Sequence, residues 1–135
     1  MPPEAPPAST SLPRTRLLVV DDNVAALKAC ARLLGQAGYD VAQAEDGRTA
    51  LTLVRTFRPA LVLLDVILPD ISGREVLRQI KADPELAEIS VVLLTSIATS
   101  LEAITAGLMI GADDYIARPI ANQELLARVR AVLAS

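Results

Sequence analysis

Two short runs of branched apolar residues, LVLL at 61–64 and ISVVLL at 89–94, lack the polar–apolar alternation of a strand with one face in water. Such runs suit strands covered on both faces. Three more short runs stand along the chain: LLVV (17–20), YDVAQA (39–44) and DYIA (114–117). Amphipathic helical stretches follow each of the five, so the order is β-α five times over. That order predicts an α/β fold: a five-stranded parallel sheet with helices on both faces, joined by right-handed crossovers.

The helices carry readable punctuation. Over 23–37, Val24, Leu27, Ala31 and Leu34 share a face opposite Lys28, Arg32 and Gln36, and Gly38 supplies a stop. Asp46 can cap the second helix, in which Leu51, Val54 and Phe57 align before Pro59. Ser72 with Glu75 three residues on is a capping-box pattern leading into Val76, Leu77 and Ile80. A fourth helix is expected from about Ser100 to Met109, with Leu101, Ile104 and Leu108 aligned. A fifth starts near Asn122 and carries Leu125, Val129 and Val132. Ahead of all this, MPPEAPPASTSLPRTR is Pro-rich and aperiodic, so residues 1–15 read as a disordered tail or linker and 16–135 as one folded domain.

Composition removes several function classes. The chain of 135 residues is 52% hydrophobic and 21% charged, with a net charge of −3, no basic run and no His. One cysteine, Cys30, leaves no internal disulfide, and Cys/His zinc sites and His-based triads have no ligands to draw on. Three aromatics (Tyr39, Phe57, Tyr115) make poor stacking surfaces for single-stranded nucleic acid. No stretch is long and apolar enough to span a bilayer, and the N-terminus lacks a signal-peptide pattern. A cytoplasmic protein without direct membrane or nucleic-acid contact is the expectation.

The run LVLL ends in Asp65, and burying an unpaired carboxylate is costly. In open α/β sheets, functional groups collect beyond the carboxyl ends of the strands where strand order reverses. LLVVDD places Asp21 and Asp22 at the end of the first strand. With a strand order of 2-1-3-4-5, strands one and three are neighbours and three carboxylates crowd one rim. Their repulsion calls for a cation, and an oxygen-only donor set suits a hard divalent ion, Mg²⁺ above all. Capping of the 23–37 helix is the plain alternative role for Asp21 or Asp22. Two further groups belong on this rim. VVLLTS sets the hydroxyl of Thr95 at the fourth strand end, and Arg118-Pro119 sets a cation after the fifth. A carboxylate nucleophile, a divalent ion, a hydroxyl and a guanidinium are what phosphoryl transfer needs.

These motifs, VVDDN, DVILPDISG, LLTS and GADDYIARPI, in this order over about residues 16–134, resemble the receiver domain of two-component response regulators. The resemblance implies a flavodoxin-like, three-layer doubly wound (βα)5 fold with strand order 2-1-3-4-5. It implies that Asp65 accepts a phosphoryl group from a phosphohistidine on a sensor histidine kinase or phosphotransfer protein. Asp21 and Asp22 would hold Mg²⁺ with Asp65 and the backbone carbonyl of Ile67. Pro69 and Gly73 match the loop that shapes the site, Thr95 would draw toward the phosphoryl group, and Tyr115 would turn inward behind it. The surface of the fourth helix, fifth strand and fifth helix would then change its preference for a downstream protein. The segment LEAITAGLMIG, with Glu102 its only ionic residue, is a candidate part of that surface.

One position departs from the family. Its lysine before proline is here Arg118, which keeps the charge on a bulkier planar group, so weaker switching is expected. The family's often-cis bond before that proline makes Arg118–Pro119 a candidate for the same geometry. Ile67 and Ile97, two past Asp65 and Thr95, cannot orient an attacking water, so slow self-dephosphorylation is expected. Two rival functions remain. A phosphatase of the haloacid dehalogenase kind needs an Asp two residues after its nucleophile, where this chain has Ile67. A receiver-like binding module that no longer uses phosphate is the other. The chain could also be a piece of a larger hybrid kinase or regulator.

Overall fold

The computed structural model describes residues 13–95 and 111–135. Within them, five strands, β1 (Arg16–Val20), β2 (Asp40–Ala44), β3 (Leu61–Asp65), β4 (Ser90–Thr95) and β5 (Asp114–Ala117), form one parallel sheet in the order β2-β1-β3-β4-β5. This is the α/β, flavodoxin-like order expected from the sequence. The chain moves outward from β1 to β2, then returns past β1 to β3. The order therefore reverses between β1 and β3.

Four helices accompany the strands among the described residues: α1 (Val24–Gln36), α2 (Gly47–Thr56), α3 (Gly73–Ala82) and α4 (Asn122–Ala134). The last is the fifth helix of the sequence reading. The helix expected at 100–109, Ile97, and residues 1–12 of the expected tail lie outside the described residues.

Alternate residues of each strand feed opposite layers. Leu18, Val20, Val62, Leu64, Val91 and Leu93 pack with Val54 of α2 and Val76, Leu77 and Ile80 of α3. Leu17, Val19, Leu61, Leu63, Val92 and Leu94 pack with Leu27 and Leu34 of α1 and Leu125 and Val129 of α4. Both faces of β3 are thus covered, which is why its sequence shows no alternation. Burying a Leu or Val side chain contributes about 1.5–3 kcal/mol, so these two layers are the main source of stability.

Helix starts differ in detail from expectation. Asn23, rather than Asp21 or Asp22, caps α1, its side chain accepting from Ala26 N–H. Val24, placed on the apolar face by periodicity, is exposed in the first turn. Asp46 caps α2 through Thr49 N–H as expected. Ser72 caps α3 through Glu75 N–H, but the Glu75 carboxylate turns to Arg78 and Gln79, so only half of the capping box forms.

Candidate functional site

The site sits at the reversal point. Val20 of β1 registers with Leu64 of β3, so the next residues, Asp21 and Asp65, stand side by side at the carboxyl end of the sheet. Asp21 N–H donates to Ala44 O at 3.1 Å, and Val66 N–H to Leu94 O at 3.0 Å, which extends backbone pairing one residue past the end of β1, to Asp21, and of β3, to Val66. One carboxylate oxygen from each of Asp21, Asp22 and Asp65 lies within 4.8 Å of the others. Asp21 and Asp65 are buried, at 2% and 8% exposure, while Asp22 faces solvent. Because Asn23 caps α1, none of the three is spent as that cap.

Asp65 stays buried at the end of its strand. Burial pushes its carboxyl above the ordinary value, with Asp21 and Asp22 adding repulsion; the Ile67 N–H and Arg118 act the other way. Ile67 N–H donates to Asp65 Oδ1 at 3.1 Å, holding the carboxylate against the loop that follows. The donor set is all oxygen, two of its members are buried, and among the described residues one guanidinium is paired with it. These residues fit a hard divalent cation.

That guanidinium belongs to Arg118. Its Nη1 donates to Asp21 Oδ2 at 2.9 Å, and its backbone N–H donates to Thr95 O at 2.7 Å. The Arg118–Pro119 peptide bond is cis. Thr95, the last residue of β4, is buried and lies one residue beyond the Asp65–Leu94 register. Tyr115 of β5 is buried in the layer of α2 and α3, and its hydroxyl has no hydrogen-bond partner among the described residues. Ile67, by contrast, is 54% exposed beside the acids. Cys30 is not a nucleophile at this rim, because burial pushes its thiol up to about 11.

The loop after β3 is fastened at two points. Gly73 N–H donates to Val66 O at 2.8 Å, bringing α3 against the strand end. Asp70 reaches across to α2, where its oxygens accept from Gly47 N–H and Arg48 N–H, each at 2.8 Å. Desolvation pushes the Asp70 carboxyl up, but the backbone N–H groups of Gly47, Ile71, Arg48 and Asp70 itself together outweigh it and hold the carboxyl down at about 2. Local sequence offered no sign of this second tie, because Asp70 and Gly47 are 23 residues apart.

The fold and rim geometry agree with comparisons to known proteins. The receiver domain family of response regulators matches residues 17–130. The response regulator MprA of Mycolicibacterium vanbaalenii is 44% identical over 118 residues, covering 87% of this chain and 50% of that protein. The DNA-binding response regulator MtrA of Mycobacterium tuberculosis is 43% identical over 120 residues, covering 89% of this chain and 51% of that protein. A CheY-like receiver domain structure from Methanospirillum hungatei superposes with a TM-score of 0.82 at 32% identity, covering 90% of this chain and 95% of that one. The chain belongs to the response regulator receiver domain family, and so to two-component signal transduction. It spans about half the length of the curated relatives it matches. No helix among the described residues is long and apolar enough to cross a membrane.

Proposed function

We propose that this domain accepts a phosphoryl group on Asp65 from a phosphohistidine of a sensor histidine kinase or phosphotransfer protein and thereby switches its protein contacts. The observation that carries the reading is the convergence of Asp21, Asp22 and Asp65 within 4.8 Å at the point where strand order reverses. Asp21, Asp22, Asp65 and the backbone carbonyl of Ile67 would hold Mg²⁺. When bound, the ion neutralises negative charge on the transferring phosphoryl oxygens.

The chain's own residues do the rest. An Asp65 carboxylate oxygen forms the new bond to phosphorus as the P–N bond breaks; the departing imidazole keeps the electron pair and takes up a proton. Thr95 and Arg118 flank the acceptor and supply a hydroxyl and a guanidinium to the phosphoryl oxygens. The added charge of about −1.5 to −2 gives both groups contacts that the unmodified state lacks. Thr95 and Arg118 are already joined through their backbones, so movement of one is felt by the other. Tyr115, buried beneath them, couples that movement to the face of β5 and the helices beside it, where a downstream protein binds. The domain works in the cytoplasm through protein contacts; a DNA-directed output belongs to a longer chain carrying this domain, as the name of the MtrA relatives suggests.

Intact-mass measurement after treatment with a small acyl-phosphate donor and magnesium chloride tests the reading. A single phosphoryl adduct, absent in Asp65→Ala, is expected. Continuous release of phosphate without an adduct points to a phosphatase. No reaction at all points to a binding module independent of phosphate.

A further inference from the structure

The strongest unexplained contact on the rim is the pair between Arg118 and Asp21. The guanidinium takes Asp21 Oδ2 at 2.9 Å while Asn23 N–H takes Oδ1 at 2.9 Å, so both oxygens of this carboxylate already accept a hydrogen bond. The Asp21 side chain is 3% exposed and that of Arg118 23%, so the pair is little screened by water. One guanidinium is therefore bonded to one of the three acids, in the place where a divalent ion would be held.

We propose that Arg118 is an internal competitor for the divalent cation, setting the concentration at which the carboxylate site loads. This rests on the receiver reading above and adds to it a control on the metal. Two effects act in the same direction. An entering ion shares Asp21 with a bonded guanidinium, and it meets a like charge a few ångströms away. Arginine suits this part better than lysine, since its planar fork stays bonded to a carboxylate while its other N–H groups face neighbouring oxygens. Removing a unit charge at such a distance from a doubly charged ion amounts to about tenfold in affinity, even with water-like screening.

Calorimetric titration of the full chain with magnesium chloride, at fixed ionic strength, tests this. Arg118→Gln should bind about tenfold more tightly than the unaltered protein, and Arg118→Lys, which keeps the charge, should stay within a few-fold of it. Equal or weaker binding by Arg118→Gln overturns the proposal, for the guanidinium then only orients Asp21. A second measurement needs no variant. The side-chain Nε–Hε resonance of Arg118 should shift in step with magnesium loading of the unaltered protein; a resonance that stays put while the site saturates also overturns the proposal. If the unaltered protein takes up no magnesium and Asp65 forms no adduct, the receiver reading itself falls, and this inference with it. Magnesium uptake and an Asp65 adduct with unchanged affinity in Arg118→Gln remove this inference alone.

Discussion

A β-carbon on Gly73 would overlap the backbone oxygen of Asp65 and lie 2.9 Å from Val66 Cα. The first residue of α3 is thus in backbone contact with the strand end that presents the proposed acceptor. No side chain offers a way to relieve the clash, because the opposing atoms are main chain. Gly73→Ala should destabilise the domain by about 1–3 kcal/mol in urea unfolding, the usual cost of overpacking. It should also slow adduct formation at Asp65 in the fraction that remains folded.

The acceptor carboxylate leaves a signature in the pH dependence of stability. Its folded pKa is raised above the ordinary 3.8, chiefly by burial. The folded state therefore binds this proton more tightly than the unfolded chain does. The contribution is fully present below 3.8 and is lost as pH rises through the raised folded value. Asp65→Asn should flatten that decline in unfolding experiments run with chelator, and should be more stable than the unaltered protein at neutral pH. An unchanged pH profile would contradict a raised Asp65 carboxyl in the folded state.

Asp70 should act in the opposite sense. Although desolvation raises it, its carboxyl is held at about 2 by backbone N–H groups, among them those of Gly47 and Arg48 at the start of α2. The stabilisation is present above 3.8 and is lost as pH falls toward 2. Asp70→Asn should lose that acid-side slope, and amide exchange at Gly47 and Arg48 should quicken because their acceptor is weakened.

Tyr115 buries a hydroxyl that has no partner among the described residues. A buried, unsatisfied polar group costs about 1–3 kcal/mol. Tyr115→Phe should therefore stabilise the unphosphorylated domain by about 1 kcal/mol in thermal or urea unfolding. A loss of stability would mean that the hydroxyl has found an acceptor.

Ile67 is exposed next to Asp65 and offers no group to orient water. Once formed, the aspartyl phosphate should decay slowly, persisting well beyond seconds in purified protein. Ile67→Glu should hasten the decay by about a hundredfold, the low end of positioned general-base assistance. Phosphate release followed over time separates the two proteins.

Much of this domain was legible along the chain because its evidence is local. Two-sided burial writes itself into LVLL as missing alternation, and the 3.6-residue period of Leu27, Ala31 and Leu34 marks a helix face wherever that helix goes. Asp21, Asp22 and Asp65 were readable as a cluster because strand ends and a reversal in strand order bring them together by topology alone. The choice of cap was less legible, since Asn23, Asp21 and Asp22 are all competent and only the backbone geometry at Asn23 decides.

What tertiary structure alone decided is where each charge finds its partner. Arg118 and Asp21 are 97 residues apart, and Asp70 and Arg48 are 22 apart. A guanidinium or carboxylate carries no local pattern that names its partner. Its energy depends on distance, burial and competing oxygens, and those exist only once the sheet has closed around them.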